Sequence, residues 1–150
     1  MFAHVDRASV GRMKLDRPVS PDPHSLLPRV APPEASSTSI VNGAPDAPTP
    51  SGFWHWLLVG IPAEVTTLEA GAGTAENAPR GAFHVASDFS HKRYDGAAPP
   101  AGDKDHRYLF AVHPLDTDEL GRDDTASAAV TALHGRPIPA RGLISATYSA

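Results

Sequence analysis

Nine of the chain's 16 prolines fall between Pro18 and Pro50, at positions 18, 21, 23, 28, 32, 33, 45, 48 and 50. Each removes a backbone donor and fixes φ at about −65°, so neither a long helix nor a central strand is expected to run through this stretch. Mixed with Ser36, Ser37, Thr38 and Ser39, the segment reads as an extended arm with one short strand at residues 39–41. The expected organisation is therefore a Pro/Ser-rich, partly disordered arm over residues 1–43, then a compact domain over residues 44–150. Residues 1–17 show no convincing period. They carry Arg7, Arg12, Lys14 and Arg17 but no apolar core of a secretory leader.

From Pro45 onward the signals sharpen. Residues 53–61 are apolar on both alternating faces, which predicts a strand buried on two sides. Strict alternation places Phe53, His55, Leu57 and Val59 on one face and Trp54, Trp56 and Leu58 on the other. Residues 82–86 predict a short strand, and residues 106–112 a longer one ended by Pro114, with His106, Tyr108, Phe110 and Val112 on a shared face. Residues 115–120 suggest a helical turn. Residues 125–134 predict a helix entered through Asp123 or Asp124 and closed by Gly135. A last strand is expected over residues 138–148. The class is mainly β with short helices near the C-terminal end.

Composition narrows the function. At 150 residues, with 41% apolar and 20% charged residues, the chain suits one globular domain burying roughly 70% of its unfolded surface. A net charge of −4 supplies no basic field for nucleic acid. The longest apolar run, from Phe53 to Pro62, is short of the ~20 residues of a spanning helix. With no cysteine, disulfide and thiolate chemistry are excluded, and a reducing, cytoplasmic setting is the default.

The residues able to do chemistry lie at the ends of the two best strands. His55 stands in an apolar run, where a buried polar group must find a partner. A lone histidine in such a place is more often structural than functional. His106 changes the balance, because it heads a second strand behind the Pro99-Pro100-Ala101-Gly102 turn. Two imidazoles facing one cavity suit a phosphate or carboxylate. Tyr108 shares the face of His106 and can donate to the same anion, although a core aromatic with a wet tip explains it equally well. His84, His91 and His113 lack zinc-ligand spacing. His134, at a helix end, needs only a dipole-capping role. The acidic run Asp116, Asp118, Glu119, Asp123 and Asp124 reads as a solvated face. Gly71-Ala72-Gly73 is too short for a nucleotide loop, and no Gly-x-Ser-x-Gly elbow occurs.

Two motifs carry a family resemblance. Ala44-Pro45-Asp46-Ala47-Pro48 followed by Gly52-Phe53-Trp54-His55-Trp56 is similar to an Asp-Pro-Asp-x-Pro signature leading into a histidine-bearing strand. Ala98-Pro99-Pro100-Ala101-Gly102 followed by His106-Arg107-Tyr108 is similar to a Gly-Pro-Pro-x-Gly turn leading to His-Arg-Tyr. In this order and separation they resemble the phosphatidylethanolamine-binding protein family, in its bacterial Raf-kinase-inhibitor-like branch. The resemblance is continuous over residues 44–150 and touches residues 20–28 and 37–43. It implies a β-sandwich with a large central sheet, a smaller second sheet and short C-terminal helices. It also implies an anion and phospholipid-head-group pocket at Asp46, His55, Ala98 (through its backbone), His106 and Tyr108, with no cofactor and no metal. The family places a further block, with a strand, between the positions of Gly43 and Ala44, and Ala44 stands where the first signature aspartate is expected. A sheet lacking one or more N-terminal strands would leave open edges, and self-association into a homodimer would follow.

Two function classes stay open. One is a non-enzymatic binding or regulatory module that holds phosphate or a phosphorylethanolamine-like ligand. The other is a hydrolase with His55 or His106 as general base, which needs a nucleophile that the sequence does not place beside either histidine. A degenerate member that binds nothing is the third outcome.

Overall fold

The computed structural model describes residues 14–15 (backbone), 35–68, 71–117, 120–134 and 142–150. Its strands are β1 (Lys14–Leu15), β2 (Ser37–Ala44), β3 (Phe53–Pro62), β4 (Phe83–Val85), β5 (His106–Leu115) and β6 (Gly142–Tyr148), with one helix, α1 (Ala128–His134), between β5 and β6. All described strands join one antiparallel sheet in the order β1-β6-β5-β2-β3-β4. The protein is mainly β, as expected. The smaller second sheet implied by the resemblance is not among the described residues.

The expected arm requires correction from Ser37 on. Residues 37–44 are not peripheral but the strand at the middle of the sheet, hydrogen-bonded to β3 on one side and β5 on the other. The physical reason is visible in the proline spacing: none falls between Pro33 and Pro45, so an uninterrupted set of backbone donors was available there. β2 runs through Gly43 and Ala44 without a break, pairing Gly43 with Trp54 and Leu109, and Ala44 with Phe53. The open edge expected at this junction is therefore absent from β2. The remainder of the arm, residues 1–13 and 16–34, lies outside the described residues.

β3 contains two extra residues relative to β2. Asn42 pairs with Trp56 and Gly43 with Trp54, which leaves His55 as the unpaired bulge residue. A second shift, between Thr38 and Ile40, coincides with Gly60 at φ 71°. A bulge breaks the two-residue period, so the strict alternation expected for this strand does not hold. Trp56 packs with Ile40, Leu58 and Phe110 on one face. His55 touches Tyr108, which alternates with Phe110 and so belongs to that same face. Trp54 instead joins Leu57, Val59, Val85 and Ala128 on the other. Consecutive residues His55 and Trp56 thus share a face.

β5 continues past its expected end to Leu115 and includes buried Pro114. Leu115 C=O accepts from Ser36 N–H on the β2 side. By alternation, Pro114 turns its nitrogen to the other side, where pairing with β6 has ended at Val112–Gly142. The helix starts later than expected and is capped by Ser127, whose Oγ accepts from Val130 N–H at 3.3 Å. Asp123 serves the preceding turn, accepting from Thr125 N–H at 2.9 Å. The expected closure by Gly135 and the strand onset at residue 138 fall outside the described residues, as does the side chain of His134.

Candidate functional site

The bulge at His55 and the head of β5 bring three of the expected residues together. β2 separates β3 from β5, and rings meet across it. The His55 and Tyr108 rings stand edge to face, 5.1 Å between centroids. His106, two positions from Tyr108 and on its face, is near enough to act electrostatically on His55. All three are buried, His106 to 1% and Tyr108 to 0% exposure.

The connection from β4 to β5 covers this cluster and fixes each ring. Gly96 C=O accepts a hydrogen bond from His55 Nδ1 at 3.1 Å, and Ala98 N–H donates to the Tyr108 hydroxyl at 3.2 Å. The Ala98 backbone N–H is thus directed to Tyr108. His106 Nε2 donates to Asp103 Oδ2 at 3.0 Å, across a tight turn from Asp103 to His106. Phe53 and Phe89 complete the wall, with centroids 4.6 Å apart and 5.1 and 5.4 Å from His55. Phe89, 38% exposed, is the outer face of that wall.

Asp46 lies in the β2–β3 turn and is committed to Arg107. It accepts from Arg107 N at 3.0 Å, from Nε at 2.7 Å and from Nη2 at 2.8 Å. Arg107 sits between His106 and Tyr108, so the carboxylate holds the strand that presents both. This bidentate charge-assisted pairing keeps the Asp46 pKa well below the ordinary carboxylate value.

Electrostatics follow from burial. Loss of solvent lowers the His55 pKa below its ordinary 6.5; the hydrogen bond to Gly96 and the charges of Asp88 and Asp95 oppose this, and His106 adds to it. Asp103 is lowered, first by the hydrogen bond from His106 and then by Lys104 N–H. Burial raises Tyr108, so its hydroxyl keeps its hydrogen at neutral pH.

The sequence pointed to His55, His106 and Tyr108 but not to Asp103, Phe53, Phe89 or Gly96 as their partners. A signal existed for Asp103, which precedes the strand-heading histidine by three residues after a glycine turn. None existed for Phe89, whose contact depends on the path of a loop. His84 has a structural role: it accepts from Trp56 Nε1–H at 2.9 Å and donates Nε2–H to Thr74 C=O at 3.1 Å. No cluster of three or more metal-ligating side chains occurs among the described residues. No described helix is long and apolar enough to cross a membrane.

Comparison with known proteins gives the family and the fold. The chain is 47% identical to the UPF0098 protein YbhB of Escherichia coli over 87 residues, 57% of this chain and 54% of that protein. It is 46% identical to the UPF0098 protein YbcL of the same organism over 88 residues, 57% of this chain and 48% of YbcL. It thus spans about half the length of the curated relatives it matches. The crystal structure of E. coli YbcL, described as a new member of the mammalian PEBP family, superposes with a TM-score of 0.74 at 38% identity, covering 79% of this chain and 74% of YbcL. The fold also matches a phosphatidylethanolamine-binding protein homologue, CT736, from Chlamydia trachomatis, at a TM-score of 0.65 and 24% identity, covering 84% and 77% of the two chains. The sequence profile of the phosphatidylethanolamine-binding protein family matches residues 19–149. With the family profile matched over residues 19–149, nearly the whole chain, this protein belongs to the phosphatidylethanolamine-binding protein family.

Proposed function

We propose that the protein is a non-enzymatic binding module of Raf-kinase-inhibitor-like type, acting in the cytoplasm, whose histidine cluster takes a small anion such as phosphate or a phospholipid head group. The observation that carries this reading is the meeting of His55 with Tyr108 across β2, beside His106. The covering segment fixes one nitrogen of each imidazole and the Tyr108 oxygen, which leaves the second nitrogen of each histidine and the phenolic hydrogen for a ligand. Ala98 contributes by orienting the Tyr108 hydroxyl. Asp46 contributes at the rim by holding Arg107. Binding is favoured over hydrolysis because, among the described residues, no serine or threonine hydroxyl is hydrogen-bonded to a ring nitrogen of either histidine, so an activated nucleophile is lacking.

The test is a calorimetric titration of phosphorylethanolamine at about pH 5.5 and about pH 8, on the wild type, His106→Ala and Tyr108→Phe. Tighter binding at the lower pH, weakened in both variants, is expected. Tyr108→Phe keeps the buried ring, so it reports on the hydroxyl even where His106→Ala perturbs folding. Equal affinities throughout would overturn the reading. Saturable ester hydrolysis abolished in His55→Ala would replace it with the enzyme.

A further inference from the structure

Ser39 stands where β3 loses register with β2. Thr38 pairs with Ile61 and Ile40 with Leu58, so Val59 and Gly60 together oppose Ser39. Gly60 takes φ 71° there, a left-handed conformation that glycine adopts freely. On its other side Ser39 pairs with His113 of β5. Alternation along β2 puts Ser39 on the face of Val41, which is the face that α1 covers.

The side chains that α1 turns to this face are small. Ala128 packs against Leu57, Val59 and Val85, while Thr131 and Ala132 stand over Ser39. The larger Val130 and Leu133 point outward, 38% and 78% exposed. The helix therefore does not fill the space that the bulge opens beneath it. A cavity of about 30 Å³ lies between them, walled by Ser39, Val59, His113 and Leu115 below and by Thr131 and Ala132 above.

One polar atom at this cavity has no partner. Ser39 is 7% exposed, and its hydroxyl oxygen is shut off from solvent with no hydrogen bond among the described residues. Ser37, two positions earlier on the same strand, shows the usual remedy by donating to Thr117 C=O. Leaving a buried hydroxyl unpaired costs its full desolvation, so Ser39 Oγ calls for a partner that the chain does not supply. Thr131, also buried, donates its hydroxyl hydrogen to Ser127 C=O at 2.9 Å, and its lone pairs stay open to accept.

We propose that this cavity is a binding site for a single water molecule, held between Ser39 and Thr131, that joins the central strand to α1. The size fits, since one water occupies about 30 Å³ of the liquid. The chemistry fits as well. The water donates one hydrogen to Thr131 Oγ1 and pairs with Ser39 Oγ, which gives or takes a hydrogen as required. Two such partners are the minimum that a buried water uses. An ion is a poorer occupant: among the described residues, no carboxylate, ammonium or guanidinium lines the cavity, and a buried charge needs one. An apolar occupant would leave the serine hydroxyl unpaired. The joint between helix and sheet at this point is thus a shared water in place of interlocked side chains.

A crystal structure of the wild-type chain and the melting temperature of Ser39→Ala test the proposal together. The crystal should show one ordered oxygen at hydrogen-bond distance from both Ser39 Oγ and Thr131 Oγ1. Ser39→Ala should melt about 2–4 °C below the wild type, because it takes a partner from a bound water. A dry cavity reverses that sign: removing an unpaired hydroxyl relieves a penalty, and the variant melts at or above the wild-type temperature. That reversal, or a wild-type crystal without density at this position, would overturn the proposal. The crystal uses no variant, so its answer stands even where Ser39→Ala folds poorly.

Discussion

Asp46 and Arg107, 61 positions apart, are tied by both carboxylate oxygens and three donors, one of them the backbone N–H that immediately follows His106. The first motif thus reaches the second through an ion pair. Asp46→Ala should lower stability by about 1 kcal/mol, a modest value because the guanidinium is more than half exposed. Asp46→Asn, which keeps one acceptor oxygen, should lose less. Since pairing depresses the Asp46 pKa, its contribution is present above the ordinary value of 3.8 and lost as pH falls below it. Urea denaturation of the two variants at neutral pH checks the order, and an unchanged midpoint for Asp46→Ala would contradict it.

Two buried histidines set a second acid response at higher pH. Burial lowers the pKa of both His55 and His84 below 6.5, with the hydrogen bonds to Gly96 and Thr74 opposing. The unfolded chain then binds protons that the folded one refuses, so stability should decline as pH falls below about 6.5. Urea midpoints should be lower at about pH 5.5 than at about pH 7.5. On the proposed anion-binding reading, phosphorylethanolamine added at the lower pH should restore part of the loss by binding the native state. A midpoint that rises on acidification would refute the assignment of these rings as neutral.

Trp56 and His84 should be worth more than their packing. Trp56→Phe keeps an aromatic ring but strands His84 Nδ1 without its donor. The expected cost is about 2–4 kcal/mol, combining a small cavity with a buried unpaired nitrogen. Thermal unfolding of Trp56→Phe, compared with Tyr94→Phe on the same face, separates the two contributions. Comparable losses would argue against the hydrogen bond.

Glycine is required in the β2–β3 turn. Gly52 has φ 71°, and a Cβ there would lie 3.1 Å from Ala44 O and 3.3 Å from Pro45 Cα, both backbone atoms. Gly102 has φ 78° but open space around it. Both alanine variants incur about 1–2 kcal/mol for the left-handed backbone, and Gly52→Ala should cost clearly more. Equal melting temperatures for the pair would refute the steric part.

The cap of α1 offers a simpler check. Ser127→Ala should destabilise by about 1 kcal/mol through the loss of its bond to Val130 N–H. Asp123→Ala should leave the helical circular dichroism unchanged, since Asp123 bonds Thr125 ahead of the helix.

Much of the sheet was legible in the sequence, and the reasons for the exceptions are specific. β3, β4 and β5 follow from apolar runs bounded by Gly and Pro, and their starts lie within a residue of expectation. Only residues 39–41 of the central strand were legible, because Ser37, Thr38, Asn42 and Gly43 lack the β-branched apolar character of a buried strand. Several of these polar groups are buried all the same, with Ser37 Oγ donating to Thr117 C=O and Asn42 Nδ2 to Leu109 C=O. Strand parity located the face shared by His106 and Tyr108. It could not reveal that His55 and Trp56 lie on one face, because a bulge has no reliable signature in a run such as Phe53-Trp54-His55-Trp56. The partners that fix the rings, Gly96, Ala98 and Asp103, come from a long connection whose path depends on tertiary contacts.

The middle position of β2 has a consequence for the nascent chain. Its hairpin partner β3 follows at once, but its other neighbour is β5, where Val41 meets Ala111. A ribosome adding about 5–20 residues per second needs roughly 3–14 s to make the intervening segment. During that interval one side of β2 has backbone donors and acceptors with no partner of its own. The β2–β3 hairpin leaving the exit tunnel is thus the stage at which this protein most needs shielding from other chains, and slower translation of the stretch before β5 would prolong the exposure.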